Sequence, residues 1–151
     1  MGRLLDQVED FFMTEGWKYG KMDDRNAVSL NMMGRGAAFE VVGIEDEQRE
    51  TLTFYTVAPN RVPEDRRAEV AEFITRANYG LRNGNFEMDF GDGEVRYKTF
   101  IDVEGGEFSP KMAQNMFTSN FSTMDRYYPG LMKVVFGGAT PRTAIAEIEG
   151  I

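Results

Sequence analysis

The sequence contains neither cysteine nor histidine. Without cysteine the chain has no disulfide bond, no thiolate nucleophile and no thiolate ligand for zinc. Without histidine it lacks the side chain that most often acts as a general base near neutral pH, and it also lacks the commonest metal ligand. Ser-His-Asp catalysis is excluded for the same reason. We therefore expect a protein that is not an enzyme.

Long apolar runs are also missing. No window approaches the roughly 18 uninterrupted apolar residues that indicate a transmembrane helix. The segment Met1–Phe12 mixes acidic with apolar residues, so it does not predict a signal peptide. Basic residues are outnumbered by acidic ones, 17 to 25, and the net charge of −8 repels a phosphate backbone. We predict a cytoplasmic chain without direct nucleic-acid binding and without membrane association.

The residues that are present favour a folded protein. The chain has 151 residues, of which 42% are hydrophobic and 13% aromatic, a composition typical of a packed core and not of disorder. This length corresponds to one domain, and no linker divides the chain. We therefore predict a single domain over residues 1–151.

The first half of the chain predicts a helix followed by three strands. Apolar residues near the N-terminus recur with helical spacing, at Leu4, Leu5, Val8, Phe11 and Phe12. The period then changes to two in three segments separated by short turns, Val28–Met33, Ala37–Ile44 and Thr51–Ala58. Short connections between such strands predict an antiparallel meander. Trp17 follows the end of the first helix, and we expect it to pack into the core.

The second half predicts a helix, a hairpin and further helices. Pro63 begins a helix and Gly80 ends it. The hairpin has strands Phe86–Phe90 and Val95–Val103 around Gly91-Asp92-Gly93.

Two proline-containing pairs mark the beginnings of the remaining helices. Ser109-Pro110 predicts the start of a long helix that runs to about Tyr128, where Pro129-Gly130 breaks or kinks it before the helical piece Leu131–Phe136. Thr140-Pro141 begins a short last helix. The element order is α-βββ-α-ββ-α(α), an α+β fold with helices on a twisted antiparallel sheet of about five strands.

Acidic residues surround the hairpin turn. Asp89, Asp92 and Glu94 carry the oxygen ligands that hard cations prefer, but the spacing of an EF-hand loop is absent. Asp89-Phe90-Gly91 matches the metal-binding tripeptide of kinases by letters alone, in a chain too short to be a kinase. A Gly-Asp-Gly turn forms a hairpin without a metal. We predict no metal site and no cofactor.

The helix Ser109–Tyr128 has more apolar surface than one sheet can cover. Its apolar residues span an arc of about 180°, whereas a helix on a sheet needs about 100°. The surplus predicts a partner or dimer surface formed by Met112, Met116, Phe117, Phe121, Met124, Tyr127 and Tyr128. Ten methionines in the chain add the adaptable apolar surface that suits varied partners. The alternative is that other helices of the same chain cover the whole arc.

Several stretches in the second half of the chain resemble the YbjN family. They are Val62–Glu64, Ala68–Phe73, Arg76–Leu81, Gly84–Asp89, Gly93–Lys98 and Met124–Pro129. The resemblance is close over Val62–Pro129, and the element order extends it to nearly the whole chain, as a single YbjN-like domain. It implies a fold similar to that of type III secretion chaperones, which are commonly small acidic homodimers. The family is described as regulators of sensory transduction and has no established catalytic residues, so no active site is carried over.

Three functions follow as hypotheses. The first is a non-enzymatic protein-binding module, chaperone-like or regulatory, that acts as a homodimer on an unidentified protein client. The second is a small-molecule sensor with a pocket between sheet and helices. The third is a hydrolase that uses paired carboxylates or a metal ion. We expect the first.

Overall fold

The computed structural model describes residues 2–22 and 24–151. These residues form an α+β fold, as the sequence predicts, with four α-helices and one antiparallel sheet. The helices are α1 (Arg3–Glu15), α2 (Arg67–Asn78), α3 (Pro110–Val135) and α4 (Pro141–Glu149), and the 3₁₀ turn Glu64–Arg66 leads into α2. The strands are β1 (Gly20–Met22), β2 (Ala27–Met33), β3 (Ala38–Asp46), β4 (Thr51–Val57), β5 (Asn85–Met88) and β6 (Val95–Asp102).

The sheet has the strand order β1-β2-β3-β4-β6-β5, and every neighbouring pair is antiparallel. The β5–β6 hairpin joins the meander through β6, so β1 and β5 form the two edges. The sequence predicts about five strands, which is one too few. The missing strand is β1, whose three residues are too short to show a period of two.

The two faces of the sheet have different environments. One row of paired residues crosses five strands and is buried throughout: Leu30, Val41, Thr56, Tyr97 and Phe86. The neighbouring row points to the other face and is only half-buried: Ser29, Val42, Tyr55, Lys98 and Asn85. The described helices pack on the first face, which we call the helix face. The second, which we call the outer face, has no described helix against it.

Two apolar clusters lie under the helices. One cluster packs α1 against β2, β3 and β4 around Phe12 and Phe54. The other packs α2 against β5 and β6 around Phe73 and Tyr97, and α4 packs on α2 and α3. Helix α3 contributes side chains to both clusters, and Phe121 contacts each of them. The position of α3 therefore connects the two halves of the molecule.

Helix α3 continues through Pro129 to Val135, so of the predicted break or kink at Pro129-Gly130 the break is wrong. A proline inside a helix removes one backbone hydrogen bond and costs about 3 kcal/mol in an isolated helix. Here packing on both sides of the proline outweighs that cost, because Leu131 and Val134 are buried in the same cluster as Met124. Gly130 lies directly against Ile148 of α4, whose side chain would have to move to admit a larger residue there.

The β5–β6 turn is built as the sequence predicts, but β5 is shorter than expected. It ends at Met88, and Phe90 is 60% exposed, because the chain has already begun to turn. The amide of Gly93 donates to the carbonyl of Asp89 at 2.7 Å, with Gly93 at φ +80°. Its carbonyl accepts from the amide of Val62 at 2.8 Å, which ties the turn to the chain before α2.

We predict that Gly93→Ala lowers the free energy of unfolding by more than about 1 kcal/mol, measured by urea denaturation. The left-handed φ strains an L-residue, and the added methyl group would overlap the Val62 backbone. Gly36→Ala is the control, since Gly36 has open space around its Cα and no positive φ. Equal effects of the two substitutions would contradict the role given to Gly93.

Candidate partner-binding surface

The seven residues predicted to form a partner surface do not share one environment. Phe117, Met124, Tyr127 and Tyr128 are buried within the chain. The remaining three are partly exposed: Met112, Met116 and Phe121. The sheet and the other helices together therefore cover about half of the apolar arc of α3. A surface for a partner can be formed in this conformation only by the three partly exposed residues and their neighbours.

Phe117 is buried by the N-terminal segment. Its ring centroid lies 5.5 Å from that of Phe12, 5.3 Å from that of Trp17 and 5.9 Å from that of Phe54. Trp17 reaches this position because Gly16 takes a left-handed conformation and the Trp17 amide donates to the Phe12 carbonyl. Trp17 is thus packed against the core, as the sequence predicts.

Tyr127 and Tyr128 are held by hydrogen bonds within the chain. The Tyr127 hydroxyl donates to Glu149 of α4 at 2.6 Å, and the amide of Asn60 donates to the Tyr128 hydroxyl at 2.8 Å. Burial and the Glu149 carboxylate together raise the pKa of Tyr127 to about 12. Burial also raises the pKa of Tyr128, partly offset by the Asn60 hydrogen bond. Both rings therefore belong to the core.

A polar residue fixes α3 on the sheet. Asn120 is fully buried, and its amide group donates to the Phe54 carbonyl of β4 at 2.9 Å and to the Thr99 hydroxyl of β6 at 3.0 Å. Its carbonyl oxygen has no hydrogen-bond partner among the described residues. A buried amide that leaves this position would lose both bonds without replacement by water, so one register of α3 on the sheet is favoured.

Met116 lies beside a cleft between α3 and β6. The cleft has a volume of about 320 Å³. Apolar atoms come from Met116, Phe100 and Ile101, and polar groups line the rest of the wall: Arg82, Asn83, Thr99, Asn115 and Ser119. Phe100 is 57% exposed and points to the outer face. This is the place in the described chain where the partly exposed part of the predicted surface adjoins a concave site.

Of the eight residues that line this cleft the sequence predicted only Met116, and the seven it missed include Phe100 and the loop residues Arg82 and Asn83. A signal for Phe100 is present in the sequence. It alternates with Thr99 and Ile101, which face the helices, so a strand places its large aromatic ring on the opposite face. Nothing in the sequence marks Arg82 and Asn83, because the loop reaches the cleft only through the tertiary fold.

The acidic turn has hydrogen-bonding roles of its own. The carboxylates of Asp89 and Asp92 accept from the amides of Gly91 and Glu94, at 2.7 and 2.9 Å. Asp92 also pairs with Arg61, and the Glu94 amide together with this guanidinium lowers the pKa of Asp92. Within residues 2–22 and 24–151, no three acidic side chains are grouped as a metal site would require.

Two solved structures have the same fold. One is a chain of the HopA1-SchA chaperone–effector complex, with a TM-score of 0.52, 16% identity and coverage of 79% of this chain and 88% of that one. The other is a chain of the ExsC-ExsE complex, with a TM-score of 0.53, 14% identity and coverage of 81% and 90%. Both neighbours are type III secretion chaperones, so the chain has the fold of that class.

The sequence itself identifies the family. Residues 4–132 match YbjN, described as "Putative bacterial sensory transduction regulator", and the chain belongs to this family. No curated protein matches the chain. In the part of the chain that the structure describes, every helix is too short or too polar to cross a bilayer.

We predict that the stability of the protein falls as the pH rises from about 10 to about 12. The unfolded chain loses the Tyr127 proton near pH 10, whereas the folded chain keeps it to about pH 12. The contribution of Tyr127 to the free energy of unfolding is therefore fully present below pH 10. About 2 kcal/mol of it is lost as the pH rises through the pKa of the folded state. Urea denaturation at several pH values measures it. Tyr127→Phe should flatten this decline, and an unchanged decline would contradict the assignment.

Proposed function

We propose that this protein is a non-enzymatic binding module for another protein, with a chaperone-like or regulatory role. The main observation in its favour is the partly exposed apolar surface of α3 at Met112 and Met116, which continues into the cleft beside Phe100. Clefts lined by methionine and aromatic residues suit protein partners, because the thioether side chains adapt to different shapes. We call this surface, with Ile101, the α3–β6 surface.

The fold supports the same proposal. The SchA structure is a complex of a chaperone with an effector, and the ExsC structure is a complex with ExsE. A protein client is therefore the kind of ligand that proteins of this fold are seen to hold. Similarity of fold does not determine which client this chain binds, since one fold serves several functions.

Homodimerisation in the cytoplasm is part of the proposal. It is supported by the half-buried apolar side chains of the outer face, such as Val42 and Tyr55. Sedimentation of the purified chain at tens of micromolar should give a species of about twice the chain mass of 17.1 kDa. A single species of the chain mass at that concentration would refute the dimer and leave client binding as a separate question.

We predict that Met116→Glu weakens client binding by about tenfold or more while leaving the chain folded, because a charge at a partly exposed apolar position must be desolvated on binding. Clients come from affinity capture in the native host, and their binding to wild type and variants is then measured with purified proteins. Thr118→Glu is the matched control, since it adds the same charge at an exposed position of α3 outside the cleft.

Phe117→Asp serves as a control for loss of the fold. Phe117 is buried among Phe11, Phe12 and Trp17, so an aspartate there should unfold the protein and not only weaken binding. A client that binds Met116→Glu as well as wild type would show that the α3–β6 surface is not the binding site. Failure to recover any client would count against the proposed function as a whole.

A small-molecule sensor is the second candidate. The cleft of about 320 Å³ is in the range of ligand pockets, and Arg82, Asn115 and Ser119 bring polar groups to it. Ser119→Leu would fill the cleft. A metabolite that raises the melting temperature of wild type but not of Ser119→Leu would favour the sensor, whereas client binding with no stabilising metabolite would favour the protein-binding module.

A further inference from the structure

A second depression lies along α3, on the stretch of the helix that follows the α3–β6 surface. It has a volume of about 840 Å³, which is within the range of ligand pockets. Side chains from three elements line it: Ser122, Thr123, Arg126 and Pro129 of α3, Arg35 of the turn between β2 and β3, and Ile148 of α4. We call it the α3–α4 groove. It shares no lining residue with the cleft beside Met116.

The helical repeat explains why α3 brings polar groups to this groove. Ser122, Arg126 and Pro129 are spaced by four and then three residues, so they lie on one face of the helix. All three are exposed, whereas Met124 and Tyr127 are buried on the other side. The exposed face of α3 therefore presents a hydroxyl group, a guanidinium group and a proline ring along the groove.

Arg35 is held at the groove by Asp125. The Arg35 amide donates to Asp125 Oδ1 at 2.9 Å, and Arg35 Nε donates to Asp125 Oδ2 at 3.2 Å. Gly34 allows this contact, since a Cβ at that position would overlap the Asp125 carboxylate. The two terminal nitrogens of the guanidinium group have no acceptor among the described residues. Arg35 is thus positioned beside α3 with N–H groups available to a ligand.

Arg126 is held by the end of α4. Its Nη2 donates to the Ile148 carbonyl at 3.3 Å, and its guanidinium carbon lies 5.3 Å from the centroid of the Tyr127 ring. A cation that binds a terminal carbonyl stabilises the last turn of a helix, which accounts for this bond. A guanidinium group has five N–H donors, however, and this bond occupies one of them. Arg126 forms no ion pair with any carboxylate of the described residues, so its charge is not neutralised there.

The two acids that adjoin groove residues in the chain already have partners. Asp125 accepts both bonds from Arg35, and Glu149 accepts from the Tyr127 hydroxyl at 2.6 Å. The hydroxyl of Ser122, in contrast, is bonded to no described group. An anion that enters the groove therefore meets two guanidinium groups and a hydroxyl group, all of which can donate hydrogen bonds.

We propose that the α3–α4 groove binds a small organic phosphate monoester, with Arg35, Arg126 and Ser122 donating to its phosphoryl group. Arginine binds phosphate oxygens through parallel N–H groups, which makes it a common residue in phosphate recognition. A phosphoryl group has three terminal oxygens, one for each of these side chains, whereas a carboxylate has two. The donor set therefore favours phosphate. The site goes beyond the proposed function, because it binds a small molecule outside the α3–β6 surface.

The rest of the groove indicates what the phosphoryl group is attached to. A groove of about 840 Å³ has room for a drug-sized molecule and not only for a phosphate ion. Pro129 and Ile148 bring apolar surface to it, and neither is fully buried. A flat apolar group joined to the phosphate, such as the base of a nucleotide, would pack against these two side chains.

A nucleic acid fits the groove less well than a single nucleotide does. The net charge of −8 repels a long polyanion. Charges more than about 10 Å away are largely screened at ordinary ionic strength, so a single phosphoryl group responds mainly to the arginines beside it. We therefore assign the groove to a small molecule.

Calorimetric titration of the purified chain in a phosphate-free buffer tests the proposal. The probes are adenosine 5′-monophosphate, glycerol 3-phosphate and inorganic phosphate. We expect adenosine 5′-monophosphate to bind most tightly, because it alone carries a flat group for Pro129 and Ile148, and NMR amide signals of Ser122 and Arg126 should shift. Shifts confined to the cleft beside Met116, or no binding of any probe at millimolar concentration, would overturn the proposal. Inorganic phosphate that binds as tightly as both esters would overturn the organic part of the ligand.

Ser122→Glu is the main variant. It places a negative charge in the groove at an exposed residue whose hydroxyl bonds to no described group, so the chain should stay folded. The affinity for adenosine 5′-monophosphate should fall by about tenfold or more. Thr118→Glu is the matched control, because it adds the same charge at an exposed position of α3 outside the groove, and it should leave the affinity unchanged. Equal losses in the two variants would show only a general effect of charge and would overturn the site.

Arg126→Gln removes a donor and its charge, and Arg142→Gln is its control. Arg142 is an exposed arginine of α4 that lies outside the groove and has no ion pair among the described residues. Affinity should fall by about tenfold or more in Arg126→Gln and stay unchanged in Arg142→Gln. If Arg126→Gln also lowers the melting temperature, because the Ile148 carbonyl loses its donor, the comparison at Ser122 decides the question.

Two further ligands separate phosphate recognition from other kinds of binding. Adenosine lacks the phosphoryl group, and succinate carries carboxylates in its place. Either one, if it binds as tightly as adenosine 5′-monophosphate, would overturn recognition of the phosphoryl group. A phosphoserine peptide that binds when the three probes do not would assign the groove to a protein partner and overturn the small-molecule site. Client capture and Met116→Glu test the proposed function independently of all these results.

Discussion

The structure depends on how α3 is seated across the sheet. One half of this helix packs with α1 in the cluster around Phe54, and the other half packs with α2 and α4 around Tyr97. Between the two halves, the Asn120 amide bonds to both β4 and β6. Apolar contacts are non-directional and would tolerate a helix shifted by a turn, whereas these two hydrogen bonds would not. The Asn120 amide therefore fixes the register of α3 on the sheet, whereas the apolar clusters contribute most of the free energy of folding.

Local patterns in the sequence predict the elements well, because the relevant physics acts over a few residues. Ser109 and Thr140 accept from the amides of Met112 and Thr143, as helix caps do. The continuation of α3 through Pro129 could not be predicted in this way. It depends on contacts with Ile148 and Phe73, residues from helices on either side of α3 in the chain, and no short window contains them.

The partner surface was harder to predict than the fold for a related reason. The apolar arc of α3 is visible in the sequence, but which side of it is covered depends on where α1, α2 and α4 settle. Phe117 and Met124 are as apolar as Met116, and the sequence does not distinguish them. Only the tertiary packing makes the first two buried and leaves Met116 partly exposed. Phe100 could have been recognised as outward-facing from its position in β6, whereas the missing β5 neighbour beside it follows from β5 beginning only at Asn85, opposite Lys98.

The single tryptophan has a practical consequence for the study of this molecule. Trp17 touches Phe117, Phe11 and Phe12, so it sits where the first helix meets the central one. Tryptophan emission shifts to longer wavelength when water reaches the indole. With one such fluorophore in the chain, the spectrum reports on this junction alone, and it can separate detachment of α1 from loss of the sheet. The chain thus carries an intrinsic optical reporter on one of its two clusters.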